Sequence, residues 1–137
     1  MDRTELHALS RVRAKEAQAL LGQGLFDGAY YLAGYAVECA LKACVAKQTK
    51  RHEFPDKKRV DPSYTHKLSV LMRLGNLDES HAERISLDPE FKANWGTVEE
   101  WDEQSRYERH NAEKARELVL AVGDRRHGVL AWIKRYW

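Results

Sequence analysis

The chain has few of the residues that break helices, with three prolines and eight glycines among 137 residues. Its two cysteines, Cys39 and Cys44, would point about 140° apart on one helix, so they cannot bridge each other. The sequence has no CxxC or HExxH motif and no cluster of Cys and His, so we expect no metal site and no cofactor. No apolar stretch reaches the ~18 residues of a membrane span, and the first ten residues are polar. We therefore expect no membrane association and a cytoplasmic location.

What remains is an ordinary globular composition, 43% hydrophobic and 32% charged, over a length that suits a single domain, 1–137. Apolar residues recur at helical spacing, and no segment shows the alternation of a strand. The pattern predicts an all-α fold with a long C-terminal helix, because its apolar register continues across Gly123 and Gly128. The segment Phe91–Gln104 is predicted to be a long connection over the core, anchored by Trp95 and Trp101. The predicted helices are Thr4–Leu21, a second helix from Leu25 or Phe26 to Lys47, Thr65–Leu74, Asp78–Ile85 and Asn111–Lys134.

Charge is unevenly distributed, although the net charge is only +2. Residues 42–67 hold eight Lys or Arg against three Asp or Glu, residues 78–104 hold two against nine, and residues 106–137 hold eight against four. One interpretation is solvated loops and complementary patches within the molecule. The other is a basic surface for phosphates near the last helix, with the acidic segment screening it or docking a partner.

Candidate catalytic residues lie just before the last helix, at Arg106 and His110. If this segment is helical, their i,i+4 spacing places both on one face. An arginine can hold a phosphate in a bidentate manner, and a histidine can transfer a proton near neutral pH. The pair would suffice for metal-free RNA cleavage by a 2′-hydroxyl. The alternative is an ordinary surface Arg and His at a helix start.

The second helix is apolar almost all round but carries Glu38 and Lys42 as an i,i+4 pair. Ala29, Gly34 and Ala36 are small enough for another helix to approach closely. In so apolar a helix we expect Glu38 to be partly buried and to need a partner, such as an Arg from the last helix or from the region of Arg106. It either anchors the structure or lines a polar cleft.

Three segments resemble the HEPN family (higher eukaryotes and prokaryotes nucleotide-binding domains). Ala29–Ala43, AYYLAGYAVECALKA, is similar to the family's second-helix pattern leading to A-V-E-x-x-L-K. Thr65–Leu71, THKLSVL, resembles its short H-x-L-x-x-L helix, and Arg106-Tyr107 precedes a long terminal helix. The resemblance implies an all-α, up-and-down bundle of four to five helices. Within it, Glu38, Lys42, Arg106 and Arg109 are the expected nucleotide- or RNA-binding residues.

The resemblance also implies partners and an activity. Such domains are often homodimers, and many prokaryotic members occur with a minimal nucleotidyltransferase as toxin–antitoxin or defence pairs. Catalytic members are metal-independent ribonucleases with four to six residues between Arg and His, whereas Arg106 and His110 have three between them. Arg59 and His66 have six, but they lie in a predicted loop, and their spacing is interpreted as coincidence. The alternatives are thus a nucleotide- or RNA-binding module, a ribonuclease toxin using Arg106 and His110, and a structural protein without ligand.

Overall fold

The computed structural model describes residues 1–51 and 65–137, and the regular structure in these ranges is entirely helical, with no strand. The all-α class predicted from the sequence is confirmed. None of the helices described combines the length and apolar composition that crossing a membrane requires. Seven α-helices and one short 3-10 helix are present in these ranges, where the sequence predicted four to five helices. They are α1 (Arg3–Gly22), α2 (Phe26–Arg51), α3 (Leu68–Leu74), α4 (Asp78–Leu87), α5 (Pro89–Glu99), the 3-10 helix (Glu103–Tyr107), α6 (Ala112–Gly123) and α7 (Val129–Ile133).

The first two helices pack along each other as a hairpin. α1 begins at a capping box, in which Asp2 and Glu5 each accept a 2.8 Å hydrogen bond from the other's backbone N–H. After α1 the chain reverses through Gly24, whose φ of +77° lies in the left-handed region that favours glycine. The buried hydroxyl of Ser10 donates to the carbonyl of Ala36 at 2.7 Å, which ties α1 to the middle of α2.

The central element of the fold is α2, which contacts α1, α3, the 3-10 helix, α6 and α7. Most of its side chains between residues 29 and 45 are buried. The closest approach is at Gly34, where a Cβ atom would overlap the indole ring of Trp101. The small residue therefore makes room for an aromatic side chain, where the sequence predicted room for a second helix.

The acidic segment after α4 is a helix, α5, and the long connection predicted for residues 91–104 is wrong. Asp88 caps this helix by accepting a backbone N–H of the first turn at 3.0 Å, and Pro89 occupies its first position. Proline is favoured there because its missing N–H would have no helical partner. Trp95 and Trp101 do anchor the segment, with 7% and 3% of their surface exposed.

The single long C-terminal helix predicted for residues 111–134 is also wrong, because a turn over residues 124–128 separates α6 from α7. Asp124 leaves the helical conformation at ψ 134°, and its carboxylate accepts backbone N–H groups two and three residues ahead, at 3.2 and 2.7 Å. Gly128 closes the turn, since a Cβ atom there would overlap the backbone of Asp124. The apolar register survives because both helices face the same core.

Candidate functional site

A buried carboxylate lies in the middle of α2. Glu38 is only 1% exposed, and it lies one turn after Gly34 on the apolar helix that the core surrounds. Lys42 Nζ lies 3.2 Å from Glu38 Oε2, so the predicted i,i+4 pair forms. His66, just before α3, places Nδ1 3.0 and 3.1 Å from the two carboxylate oxygens. A buried charge requires such partners, and Glu38 has two among the residues that the structure describes.

The interaction continues from His66 to the 3-10 helix. His66 Nε2 lies 3.1 Å from Glu103 Oε2, and Glu103 Oε1 lies 3.3 Å from a terminal guanidinium nitrogen of Arg106. Five residues therefore form one chain of polar contacts, which we call the Glu38 cluster: Lys42, Glu38, His66, Glu103 and Arg106. A carboxylate faces each ring nitrogen of His66.

The position of Glu103 depends on the same helix that carries Glu38. Trp101 packs on Gly34, which anchors the chain two residues before Glu103. Asp102 then caps the 3-10 helix by accepting the N–H of Gln104 at 2.8 Å. Glu38 is part of α2, and Glu103 is held close to α2 by the packing of Trp101. The packing of the core therefore sets the geometry of the cluster.

The cluster opens to solvent on its cationic side. The side chains of Lys42, His66 and Arg106 are 24%, 42% and 43% exposed. The Arg106 guanidinium also lies 4.7 Å from the ring centre of Tyr107, within the range of a cation–π contact. Arg109 is exposed at the surface a few residues further on. The arrangement presents the Lys42 ammonium, the Arg106 guanidinium and the His66 ring outward around the partly exposed Glu103 carboxylate.

The expected one-face geometry of Arg106 and His110 is wrong. Arg106 lies in the 3-10 helix, the backbone is extended at Glu108, and His110 precedes α6. His110 is 7% exposed and stacks on Tyr30 with ring centres 3.9 Å apart. Its Nε2 lies 3.1 Å from the Ser105 carbonyl, so this nitrogen donates. His110 thus packs into the structure instead of facing a phosphate held by Arg106.

Glu38 has a polar partner, as predicted, but the predicted partner, an Arg, is wrong. An Arg was expected, whereas the contacts are Lys42 and His66, and Arg106 is reached only through Glu103. The Arg59–His66 spacing was interpreted as coincidence, and Arg59 lies outside the described residues, as does half of the basic segment 42–67. The only signal for His66 was its place in the short motif resembling H-x-L-x-x-L.

A second charged cluster fastens the 124–128 turn to the junction of α4 and α5. His127 Nδ1 lies 2.7 Å from Asp88 Oδ2 and its Nε2 lies 3.2 Å from Glu90, while Arg84 lies 3.1 Å from Asp88. The hydrogen bond to Asp88 raises the pKa of His127, and the same bond lowers the pKa of Asp88. The residues of this second cluster all belong to α4, to α5 with its N-cap, or to the 124–128 turn, which the cluster holds together. We therefore interpret the cluster as structural.

Thiol chemistry receives no support from the structure. Burial raises the pKa of Cys39 to about 11 and that of Cys44 to about 12, so both thiols are protonated and inert near neutral pH. Within the ranges 1–51 and 65–137, no three His, Cys, Asp or Glu side chains are arranged to hold a metal ion.

The three segments that carry the HEPN resemblance converge at the Glu38 cluster. Glu38 comes from the first segment, His66 from the second and Arg106 from the third. Glu38 and His66 are 28 positions apart, so their contact could not be predicted from the spacing of residues in the sequence. Comparison of the chain with models of protein families, with curated proteins and with solved structures found no match.

Proposed function

We propose that this protein is a HEPN-like nucleotide- or RNA-binding module in which the Glu38 cluster receives a phosphate group. One observation carries the proposal: the Glu103 carboxylate lies between His66 and Arg106, with its oxygens 3.1 Å from His66 Nε2 and 3.3 Å from the Arg106 guanidinium. A phosphate presents the same kind of anionic oxygen acceptors as a carboxylate. Glu103 therefore occupies the position that a phosphate oxygen would take between the His66 ring and the Arg106 guanidinium.

Exchange of Glu103 for a phosphate is physically reasonable. Glu103 is 25% exposed and sits on a short 3-10 helix, so its side chain can turn to water at little cost. Glu38, in contrast, is buried and keeps His66 oriented from the other ring nitrogen. Lys42 adds a cationic group at the exposed rim, and the exposed Arg109 follows Arg106 by three positions along the chain. The site would hold the phosphate through charge and leave the base to other contacts.

The proposal is tested by titrating a short fluorescein-labelled single-stranded RNA by fluorescence anisotropy, at salt concentrations from about 50 to 200 mM. Arg106→Gln should weaken binding and reduce the slope of log K against log salt by about 0.7, the value for one phosphate contact on a single strand. Arg125→Gln, an exposed arginine in the turn after α6, is the matched control. Equal effects of the two changes, or no RNA binding by the wild type, would contradict the proposal; the latter would favour the structural protein without ligand.

The partners implied by the resemblance form part of the proposal. We propose that the module is a homodimer and that it acts with a minimal nucleotidyltransferase in a prokaryotic toxin–antitoxin or defence pair. Light scattering on the purified chain should give twice the monomer mass of 15.9 kDa. A strict monomer across the accessible concentration range would refute the dimer without affecting the RNA titration.

A second candidate function, metal-independent RNA cleavage, is favoured by the Glu38–His66 pair. A buried carboxylate that orients one ring nitrogen leaves the other to act on substrate. His66 would take the proton of a 2′-hydroxyl whose oxygen attacks the adjacent phosphorus, and would return it to the departing 5′-oxygen. Arg106 would stabilise the charge on the pentacoordinate phosphorus.

This candidate predicts cleavage in the presence of EDTA with 2′,3′-cyclic phosphate ends. His66→Asn should lower the rate by about 100-fold or more, the usual contribution of a general acid–base residue. His110→Asn is the informative comparison, because the sequence assigned that role to His110. A loss confined to the His110 variant would return the role to His110, and absence of cleavage in the wild type would leave binding as the function.

A further inference from the structure

The first turns of α1 and the segment after α7 meet at the ring of Trp137. His7 of α1 stacks on this ring, with the ring centres 4.1 Å apart and the planes inclined by 22°. The Arg11 guanidinium lies 5.0 Å from the centre of the Trp137 ring, and Lys134 Nζ lies 5.6 Å from it, both within the range of a cation–π contact. The ring therefore gathers two cations, one from α1 and one from the residues that follow α7.

Two further cations adjoin this pair. Arg3 and Arg11 lie four residues before and four residues after His7, so all three share one face of α1. Lys47 of α2 donates to the backbone carbonyl of Tyr136 at 3.4 Å. The four cations are all exposed, and we call them the Trp137 patch: Arg3, Arg11, Lys47 and Lys134.

The positive charge of the patch is not neutralised by neighbouring carboxylates. None of its four cations forms an ion pair within the part of the chain that the structure describes. Asp2 and Glu5, the acidic residues of the same end of α1, accept from each other's backbone N–H groups. Partial burial, followed by the positive charge of Arg11, lowers the pKa of Lys134. The cations thus repel one another, and a bound anion would relieve that repulsion.

The Trp137 patch lies on a different side of α2 from the Glu38 cluster. Lys42, which belongs to that cluster, and Lys47 are five residues apart on α2, so their side chains point about 140° apart. On α1, the Cα atoms of Arg3 and Arg11 are separated by about 12 Å along the helix axis. An anion with charges distributed along its length fits this spread of cations better than a single phosphate does.

We infer that the Trp137 patch is a second contact site for the RNA strand, at which it binds the sugar–phosphate backbone. The inference rests on the proposed function, because it takes the ligand to be the same RNA that the Glu38 cluster receives. Arginine can hold phosphate oxygens through two parallel N–H groups, and lysine attracts them as a point charge. Because such contacts reach phosphates and no base edges, the patch adds affinity without adding sequence preference.

The test is a fluorescence anisotropy titration with a single-stranded RNA of about 20 nucleotides, longer than the ~4–16 nucleotides that one single-strand binding fold covers. The double variant Arg11→Gln, Lys134→Gln should bind this RNA about tenfold more weakly than the wild type. The slope of log K against log salt should fall in magnitude by about 1.4, twice the value for one phosphate contact on a single strand. Both changed side chains are exposed, so the variant should fold, which far-UV circular dichroism checks.

The matched control is the double variant Arg73→Gln, Lys92→Gln. It also removes one exposed arginine and one exposed lysine, but from α3 and α5, which contribute no residue to the patch. The net charge of the two double variants is therefore the same. The control should leave the affinity for the RNA and the salt slope close to those of the wild type.

A charge-conserving variant separates binding from packing around Trp137. Arg11→Lys, Lys134→Arg keeps both cations and should keep the salt slope, and a slope as small as that of the Gln variant overturns the inference. Equal effects of the Gln variant and its control also overturn it, while a specific effect of Arg106→Gln would leave the phosphate proposal standing. Binding of poly-glutamate as tightly as the RNA overturns the inference in favour of an acidic protein partner. Absence of RNA binding by the wild type overturns the inference and the proposed function together.

Discussion

Substitution of Gly34 by alanine tests how α2 positions the rest of the molecule. The new Cβ atom would overlap Cγ, Cδ2 and Cε2 of Trp101. Carbon atoms pack at about 3.5–4.0 Å, so the rigid indole ring must move. Overpacking of this kind costs about 1–3 kcal/mol, and expulsion of the ring would approach the ~3–5 kcal/mol of a Trp truncation. Alanine has a higher helix propensity than glycine, which offsets this cost by about 1 kcal/mol in the free energy of unfolding. We expect a net loss of about 2 kcal/mol.

Gly96→Ala is the matched control for this prediction. Gly96 also lies within a helix, α5, and a Cβ atom there would meet no heavy atom within 4 Å. It should therefore stabilise the protein by up to about 1 kcal/mol through propensity alone. Urea unfolding followed by far-UV circular dichroism gives both free energies of unfolding. If both variants become more stable, the packing of Trp101 on Gly34 is wrong. The Gly34 variant should also bind RNA more weakly, because Trp101 anchors the chain that carries Glu103.

Three further outcomes are expected from the remaining buried and paired groups. The pKa of His127 is raised above 6.5, so the stabilising contribution of His127 is complete below pH 6.5 and is lost as pH rises through the raised pKa. The pKa of Asp88 is lowered below 3.8, so the contribution of Asp88 is lost only as pH falls through the lowered pKa. The difference in melting temperature between wild type and His127→Gln should accordingly be largest below pH 6.5, where Asp88 is still ionised, and should shrink as pH rises through the raised pKa of His127; a difference that grows with pH would contradict the pairing. Cys39 and Cys44 should react with a thiol reagent only on unfolding, and immediate labelling of the native protein would show that they are not buried. Ser10→Ala removes the side-chain donor to the Ala36 carbonyl, which keeps its helical N–H partner, and should cost about 0.5–1.5 kcal/mol in a urea titration, whereas an unchanged midpoint would refute the hydrogen bond.

The features that followed from local sequence were predicted well. The first two helices were placed within a few residues, because Gly22 and Gly24 separate two runs with helical spacing of apolar residues. The burial of Glu38 and its pairing with Lys42 followed from a charged i,i+4 pair in an apolar helix. In each case the decisive residues lie within one or two helical turns of one another.

The features that failed depended on exceptions to periodicity or on distant contacts. The turn after α6 escaped detection because the apolar spacing continues through it, although Asp124 and Gly128 are typical turn residues. Residues 91–104 were predicted to be a connection, whereas the preceding Asp88-Pro89, an acidic N-cap followed by Pro, is a helix start. The contact between Glu38 and His66 joins residues 28 positions apart, and nothing in their local sequence specifies it.

The central claim, that Glu103 stands where a phosphate binds, is tested most directly by the RNA affinity of Glu103→Gln. Loss of one negative charge at contact distance from the bound phosphate should tighten binding about fivefold, equivalent to ~1 kcal/mol in water. Glu108→Gln removes an equal charge from the exposed end of the same 3-10 helix, where salt screens it, and should change affinity little. Tighter binding by the Glu103 variant alone is the predicted result. Unchanged or weaker binding by that variant, or equal tightening by both, would contradict the account.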